Sequence, residues 1–451
     1  MPARLVADSP VPEYLGGMKR NIVAGLALLA ACAQSPLATT TPATTTTLAP
    51  TTSATTLSTT ATSAGVAASV DLDGFLAELD MTHPEPFHGI SRPEFVAALE
   101  ELKAEIDEMS PAVALVETMR LTAMLSSEGR DGHQFAIPHE GAEGAVLPFR
   151  IYEFDDGVFI TADQGDRGLV GARLLGIGGY SIDEVLAAVE PLVPRDGPAT
   201  VPSFRPFFTL RTAVLEGLGF MAPGPVEISV EREGAPETLI VDPISHAEFQ
   251  AWGGQGGFTF LPESDALMYR RAVGEHFWME DLEGKLLYLR YSAVAPVGSG
   301  EAGELLERAA IAEKVILDLR HNPGGDNNTY PVLLGALQNE TVNRPGRLFV
   351  LTDRVTFSAA SNLATEIEQS TEAIFVGEAM GGGLNFWDDV KFYPMPHLPV
   401  PMRIGVSTTY HQKSFPDDPR LTIDPDIDVT VLSGDYFSGR DPVLEAVLEA
   451  G

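Results

Sequence analysis

The sequence predicts an α/β protein in which an N-terminal helical unit and a β-rich unit precede a larger domain of alternating strands and helices. Three observations support this. Apolar residues recur every three or four positions between residues 70 and 137, they alternate with a period of two between 145 and 242, and buried strands alternate with helices after residue 314. A chain of 451 residues is also too long for one small core. We therefore predict folded units at residues 70–144, 145–257 and 258–451.

The segment before these units has the layout of an export signal. Lys19 and Arg20 precede the apolar run 22–31, which is too short to span a bilayer. The run leads into the sequence LAAC, which resembles a bacterial lipobox and contains Cys32, the single cysteine of the chain. The resemblance implies that residues 1–32 are a signal peptide, with Met18 as an alternative start, and that the Cys32 thiol is acylated. We expect an extracytoplasmic protein, held on the bacterial cell membrane by its N-terminal lipid alone.

Residues 33–69 contain no charged side chain and consist mostly of Thr, Ala, Ser and Pro. Such a segment buries too little apolar surface to offset the conformational entropy that folding costs. We predict a disordered linker between the lipid anchor and the folded units.

The first folded unit is predicted to be helical. Apolar residues at helical spacing mark helices near residues 75–79, 95–106 and 112–125. Pro84 and Pro86 separate the first two, because two prolines so close together cannot continue a helix.

The second unit is predicted to be rich in strands. Residues 168–179 and the helix-like segment 182–189 resemble the later half of a PDZ-like peptide-binding module. Gly176 and Gly178 do not form a dinucleotide-binding loop, because no phosphate-facing helix with a trailing acid follows them. A glycine-rich joint at 253–257 marks the boundary to the last unit. The predicted strands are residues 149–154, 158–161, 172–177, 226–230 and 238–241.

The last unit alternates strands and helices as successive βαβ units do. Crossovers of this kind are nearly always right-handed and make the strands parallel, so that the loops after each strand meet at one edge of the sheet. The strands are predicted at 314–319, 348–352 and 373–376, and the helices at 327–337 and 359–368.

Two loops at this edge carry residues suited to acyl-transfer chemistry. The loop 320–326 contains Gly324 and Gly325, and the loop 354–361 places Ser358 at the start of a helix. A hydroxyl at a helix start beside glycines that aim backbone N–H groups inward can pair a nucleophile with an oxyanion hole. Taken alone, the same residues also fit a helix N-cap and a tight turn.

Several motifs in order resemble the tail-specific (C-terminal processing) peptidases, a family that includes the tricorn protease core. The motifs are VILDLRHNPGG at 315–325, TFSAA at 356–360, Gly-Glu at 377–378 and Pro-Asp-Ile at 425–427. The resemblance implies a ClpP/crotonase-like catalytic domain and a peptide or protein substrate. It also implies that Ser358 is the nucleophile and that the Ala359 N–H with Gly324 and Gly325 forms the oxyanion hole.

The sequence departs from the Ser/Lys members of this family at one position. Those members carry Gly-Lys-Gly shortly after the Gly-Glu step, whereas residues 381–383 here are all glycine. A serine needs a proton acceptor, and tricorn-like members use a histidine from the preceding part of the chain. His133 matches it, and an imidazole titrates in the useful range. His321 is an alternative base, and Lys391 and Lys413 are alternatives to the missing lysine.

The third catalytic group is less closely defined. Tricorn-like members have a carboxylate near the Pro-Asp motif, and Asp418 is the candidate here. Asp417 and Glu378 remain alternatives for this role.

Composition argues against several other classes of function. The 29 basic and 63 acidic residues give a net charge of −34, which argues against nucleic-acid binding. No HExxH or cysteine-rich metal motif occurs, and His83 and His88 are spaced around two prolines, so we predict neither a metal nor another cofactor. Two other functions remain open: a non-catalytic surface lipoprotein that binds peptides or other ligands, and an esterase that uses the same serine.

Overall fold

The computed structural model describes residues 60–165, 167–253 and 261–450. The predicted signal peptide with Cys32, the linker up to residue 59 and residues 254–257 of the predicted joint lie outside the described residues. Within the described ranges, no helix is both long enough and apolar enough to cross a bilayer.

The N-terminal unit is helical, as predicted. Ser91 caps the second helix in a capping box with Glu94, and Ser110 caps the third. The prediction of a linker up to residue 69 is wrong for residues 60–69, which form the first turns of the first helix. Ala68 there is buried in the core, and this burial supports the turn that composition alone predicts to be disordered. The helices are α1 (Thr60–Thr82), α2 (Arg92–Glu105) and α3 (Pro111–Ala123).

The second unit is built mainly from strands, and its largest sheet has the order β3-β4-β5-β7-β8, with β6 paired to β5. Two helices between β6 and β7 were not predicted, and the first contains Pro206. Strand β1 (Ala136–Pro138) still belongs to the N-terminal unit. The strands of the second unit are β2 (Ala145–Val146), β3 (Phe149–Phe154), β4 (Gly157–Asp163), β5 (Arg173–Ile177), β6 (Tyr180–Ser181), β7 (Val226–Arg232), β8 (Ala235–Val241) and β9 (Ile244–Ser245). The helices are α4 (Ile182–Val189), α5 (Thr200–Thr209), α6 (Thr212–Gly217) and α7 (His246–Gly253).

The third unit contains a six-stranded sheet of order β10-β11-β12-β13-β14-β19, parallel from β11 onward. Its strands β11 to β14 are almost wholly buried, which explains their continuous apolar sequence. The strands are β10 (Phe277–Leu282), β11 (Leu286–Tyr291), β12 (Lys314–Asp318), β13 (Leu348–Thr352), β14 (Ile374–Gly377), β15 (Asn385–Asp388), β16 (Lys391–Met395), β17 (Met402–Val406), β18 (Thr409–Gln412) and β19 (Ile427–Asp428). The helices are α8 (Ser299–Ala309), α9 (Pro331–Leu337), α10 (Ala359–Ser370), α11 (Ser433–Ser438) and α12 (Pro442–Glu449).

The loops after β12 and β13 lie side by side at the carboxyl edge of this sheet, as the parallel topology predicts. The Phe357 N–H donates to the Asn322 carbonyl over 3.0 Å, and the Thr356 hydroxyl donates to the Leu319 carbonyl over 2.9 Å. The chain after β15 then returns to the N-terminal unit, where β17 pairs with β1. This pairing brings the segment just before β1, which contains His133, to the carboxyl edge of the six-stranded sheet.

One apolar core joins the helical unit, the β-rich unit and strands β16 and β17. A second core fills the space around the six-stranded sheet on the side of α8, α9 and α10. The predicted unit boundaries therefore do not coincide with separate cores, and they remain predictions about where the chain divides.

Candidate active site

Ser358 lies at the start of α10 in an unusual backbone conformation, with φ of 54° and ψ of −127°. A positive φ is strained for a residue with a side chain, and such strain clusters at functional sites. Ser358 is buried, and its hydroxyl donates to Oδ2 of Asp388 over 3.3 Å. The side chain therefore does not cap its own helix, so the N-cap alternative is not what the structure shows.

The glycine loop lies directly against this serine. A Cβ on Gly324 would stand 2.7 Å from the Ser358 Cβ, so only glycine fits there. The Gly324 N–H donates to Oδ1 of Asn322 over 2.9 Å, and this corrects its predicted place in the oxyanion hole. For the N–H groups of Gly325 and Ala359, no acceptor occurs among the residues that the structure describes. These two groups remain available to a substrate carbonyl.

His133 is brought to the same site from the segment before β1. Its ring stacks between Phe357 and Phe386, at centroid distances of 4.6 and 5.5 Å. Its Nε2 lies 3.5 Å from Oδ2 of Asp388, the oxygen that also accepts from Ser358. Neither ring nitrogen has a hydrogen-bond partner in the described part of the chain. The structure thus brings His133 and Ser358 together around one carboxylate oxygen.

Asp388 is the site residue that sequence reasoning missed. It ends strand β15, and its backbone carbonyl accepts the Thr408 N–H over 2.9 Å, which fixes the end of the strand. The one available signal was an acidic pair, Asp388 and Asp389, shortly after the three glycines. Such pairs are common on surfaces, so the pattern alone did not distinguish it.

The three predicted acids lie in other environments. Asp418 is held by Arg420, with Nη2 to Oδ2 at 2.8 Å, and by the Ser414 hydroxyl. The hydrogen bonds from Arg420 lower the pKa of Asp418 far below its ordinary value. Asp417 is exposed, and Glu378 pairs with Arg354. Within the described ranges, no recorded hydrogen bond or ion pair joins any of these carboxylates to His133.

The alternative proton acceptors are also engaged or distant. His321 Nε2 lies 3.3 Å from Asp353, its ring stacks on Tyr269, and burial lowers its pKa. Lys413 pairs with Glu366, and Lys391 is exposed on β16.

The position of the missing lysine is closed by the fold. A Cβ on Gly382 would stand 2.2 Å from the Ser361 hydroxyl oxygen and 3.1 Å from the Ser358 nitrogen. Any side chain there would displace the helix start that carries Ser358. The backbone at this position is therefore packed for glycine and leaves no room for that lysine.

One cluster near the site has the composition of a metal ligand set. His83, His88 and Asp131 offer ligand atoms that all lie within 4.8 Å of one another. However, His83 Nδ1 accepts the Glu85 N–H over 3.0 Å, so the neutral ring carries its proton on Nε2, which faces Asp131 at 3.0 Å. Metal ligation at Nε2 would need that nitrogen free of its proton. The donor set fits a hydrogen-bonded cluster better than a metal site.

Comparison with known proteins identifies the fold. No protein-family model matches the sequence. Among solved structures, mature CPAF in complex with lactacystin matches over 86% of this chain and 97% of its own, with a TM-score of 0.59 and 15% identity. Mature CPAF matches over 85% of this chain and 96% of its own, with a TM-score of 0.56 and 15% identity. These likenesses confirm the predicted fold class, an α/β domain with a helical N-terminal unit and a β-rich unit.

Proposed function

We propose that this protein belongs to the tail-specific peptidase family and cleaves peptide bonds with Ser358 as nucleophile and His133 as base. The fold shared with CPAF and the ordered motifs around Ser358 support the family assignment. One observation carries the proposal: a strained serine at a helix start donates its hydrogen to a carboxylate that also faces a buried imidazole.

In the proposed reaction, Ser358 Oγ attacks the substrate carbonyl carbon and forms a tetrahedral intermediate. The carbonyl oxygen becomes an oxyanion, which the N–H groups of Gly325 and Ala359 stabilise. Both are backbone donors held in place by the fold, and the second also lies at the start of α10, where the helix dipole favours negative charge.

His133 takes the proton of Ser358 during the attack and returns it to the leaving amine, which leaves an acyl-enzyme that water then hydrolyses. In the described conformation the serine hydrogen bond points to Asp388 rather than to His133. The hydroxyl must turn from that oxygen to the imidazole before attack. Asp388 then faces the imidazolium and stabilises its positive charge.

A cavity between the β-rich unit and the two active-site loops is the candidate site for the peptide. Its lining includes Tyr152 of β3, Phe207 of α5, His321 and Val355. Among the described strands, β3 is the edge of its sheet and pairs only with β4. The Glu153 carbonyl accepts from Arg354, and the other backbone groups along this edge are those that an extended peptide would pair with.

Reaction of the purified protein with a fluorophosphonate probe tests the nucleophile. We expect one labelled residue, Ser358, identified by mass spectrometry, and no labelling of Ser358→Ala. The matched control is Ser370→Ala at the far end of the same helix, which we expect to label like the wild type. Labelling that persists in Ser358→Ala would refute the assignment.

A comparison of two substrates, casein and a p-nitrophenyl ester, distinguishes a peptidase from an esterase.

A second candidate function is a peptide- or ligand-binding protein without catalysis. One observation favours it: the ring nitrogens of His133 have no hydrogen-bond partner among the described residues, and the serine hydroxyl is bonded elsewhere. A folded wild-type protein that binds peptides but never reacts with the probe would support this alternative.

We also propose that Cys32 anchors the protein to the outer face of the bacterial cell membrane through a lipid. The support is the sequence that precedes it and the absence of any other cysteine in the chain. Metabolic labelling with an alkyne fatty acid should modify the full-length chain, whereas Cys32→Ser should be unlabelled. Unlabelled wild-type protein in the soluble fraction would contradict the proposal.

A further inference from the structure

Asp196 is a fully buried carboxylate beside the active site, in the segment that leads from α4 to α5. Its two oxygens bind two separate loops. Oδ1 accepts the Gly132 N–H over 2.5 Å, and Oδ2 accepts the Gly383 N–H over 3.2 Å. Gly132 precedes His133, and Gly383 belongs to the glycine run that lies against Ser358.

The backbone around Asp196 makes further contacts with the same two loops. The Asp196 carbonyl accepts the Arg130 N–H over 2.8 Å, and the Arg195 carbonyl accepts the Asp131 N–H over 3.2 Å. The Thr200 hydroxyl accepts the Asp196 N–H over 3.0 Å and donates to the Gly381 carbonyl. The segment therefore holds the residues on both sides of the active-site crevice.

We infer that Asp196 is a positioning residue that fixes the loop carrying His133 against the glycine run beside Ser358. This inference rests on the proposed function, because it assigns a role in placing the base of that reaction. A carboxylate suits the task since it accepts hydrogen bonds on both oxygens at once, and backbone N–H groups bonded to a charged acceptor make strong hydrogen bonds.

The charge of Asp196 also acts on His133 directly. The two groups are close enough for their charges to attract each other, and both are removed from water. A negative charge held near the imidazole favours the imidazolium that forms when His133 takes the serine proton. Asp196 thus adds a second negative charge near His133, from the β-rich unit, to that of Asp388.

The variant Asp196→Asn tests this inference with little change in shape. The amide keeps one oxygen but turns an NH₂ group toward the second N–H, so one loop loses its anchor and His133 loses the charge. We expect the maximal rate of fluorophosphonate labelling to fall about 100-fold, with the probe concentration for half-maximal rate changed less than about threefold. A loss confined to the maximal rate is what a positioning role predicts, because the probe-binding surface is untouched.

The matched control is Asp163→Asn. Asp163 ends β4 and likewise accepts backbone N–H groups, from Gly165 over 3.3 Å and Arg167 over 2.7 Å, but among the described residues it makes no hydrogen bond to the loop of His133 or to the glycine run. We expect its labelling kinetics to match the wild type. A second test variant, Thr200→Val, leaves the Asp196 carboxylate intact but removes the hydroxyl that holds its backbone, and it should lower the maximal rate in the same direction.

The outcomes separate the inference from the proposed function. If the wild-type protein does not label at Ser358, the proposed function fails. If the wild type labels and a folded Asp196→Asn labels at the same rate, the inference alone is overturned. Should Asp196→Asn fail to fold, Thr200→Val decides: an unchanged maximal rate in that variant overturns the inference, and a reduced one upholds it.

Discussion

Oδ2 of Asp388 lies 3.3 Å from the Ser358 hydroxyl oxygen and 3.5 Å from His133 Nε2. One carboxylate oxygen thus stands between the candidate nucleophile and the candidate base. In the serine–histidine–aspartate arrangement the carboxylate instead binds the imidazole nitrogen that faces away from the serine. Here the carboxylate lies between the serine and the histidine, whereas in that arrangement the histidine lies between the serine and the carboxylate. We therefore expect Asp388 to affect both of its neighbours.

Replacing Asp388 by Asn keeps an oxygen that accepts from Ser358 but removes the charge that faces His133. We expect kcat for casein cleavage to fall about 100-fold with KM nearly unchanged, because the lost interaction belongs to the charged transition state. Steady-state kinetics with fluorescent casein measure this. The control is Asp73→Asn on helix α1, since Asp73 pairs with Lys103 and has no hydrogen bond or ion pair with Ser358 or His133 among the described residues. Wild-type kcat in Asp388→Asn would remove this carboxylate from the mechanism.

Asp418 should behave as a structural residue. Hydrogen bonds from Arg420, and after them from Ser414, hold its pKa below the ordinary value in the folded state. A lowered folded pKa means that its contribution to stability is present in full above the ordinary pKa, begins to be lost below it, and is gone only once the pH has fallen through the folded pKa. We expect Asp418→Asn to lower the melting temperature at pH 7 and to differ less from the wild type at pH 3.

The same Asp418→Asn variant should retain casein-cleaving activity to within about threefold, since its carboxylate binds no group of the site. The exposed neighbour gives the control, and Asp417→Asn should change neither stability nor activity. If Asp418→Asn is still folded at the assay temperature but its kcat falls far more than threefold, Asp418 would again be the candidate for the third catalytic group.

The elements that the sequence predicted best are those whose local pattern decides their structure. Helix 182–189 and strand 348–352 have the predicted bounds, because an amphipathic period and a buried apolar run are visible in a few residues. Helix α5 was missed because its prolines are typical of a loop. Asp196 binds the Gly383 N–H, which is 187 positions away in the sequence, and no local sequence pattern predicts such a contact. The place of Ser358 at the start of a helix was predictable by motif, whereas the carboxylates around it depend on long-range folding.

Gly382, in the glycine run beside the candidate nucleophile, should tolerate no side chain. In Gly382→Ala the new Cβ would overlap the Ser361 hydroxyl oxygen, at 2.2 Å, so α10 must shift. We expect a loss of about 1–3 kcal/mol in the free energy of unfolding, together with slower labelling of Ser358. Chemical denaturation and probe kinetics measure the two effects. Gly335→Ala is the matched control: its Cβ meets open space within helix α9, and it should stabilise the protein by about 1 kcal/mol.

Asp196 should also leave a signature in the pH dependence of stability. Burial raises the pKa of Asp196 from 3.8 to about 6, and the positive charge of His133 opposes this rise while the negative charge of Asp131 adds to it. Between these values the folded state holds a proton that the unfolded state has released, so stability falls as the pH rises through this window. A shift of this size corresponds to about 3 kcal/mol.

In the wild type the free energy of unfolding from urea titrations should therefore include a decline between pH 4 and pH 6 that Asp196→Asn lacks. Asp163→Asn, which alters a carboxylate whose pKa lies below its ordinary value, should keep the decline. The asparagine removes the cost of burying a charge, but it also loses one hydrogen bond to a backbone N–H. The pH dependence, and not the stability at one pH, therefore tests the carboxyl group. A variant that lacks the decline and also labels slowly would show that the buried charge of Asp196 costs stability while it positions His133. Parallel pH profiles for the wild type and Asp196→Asn would contradict the prediction, because they would show that burial does not raise the pKa of Asp196 in the folded state.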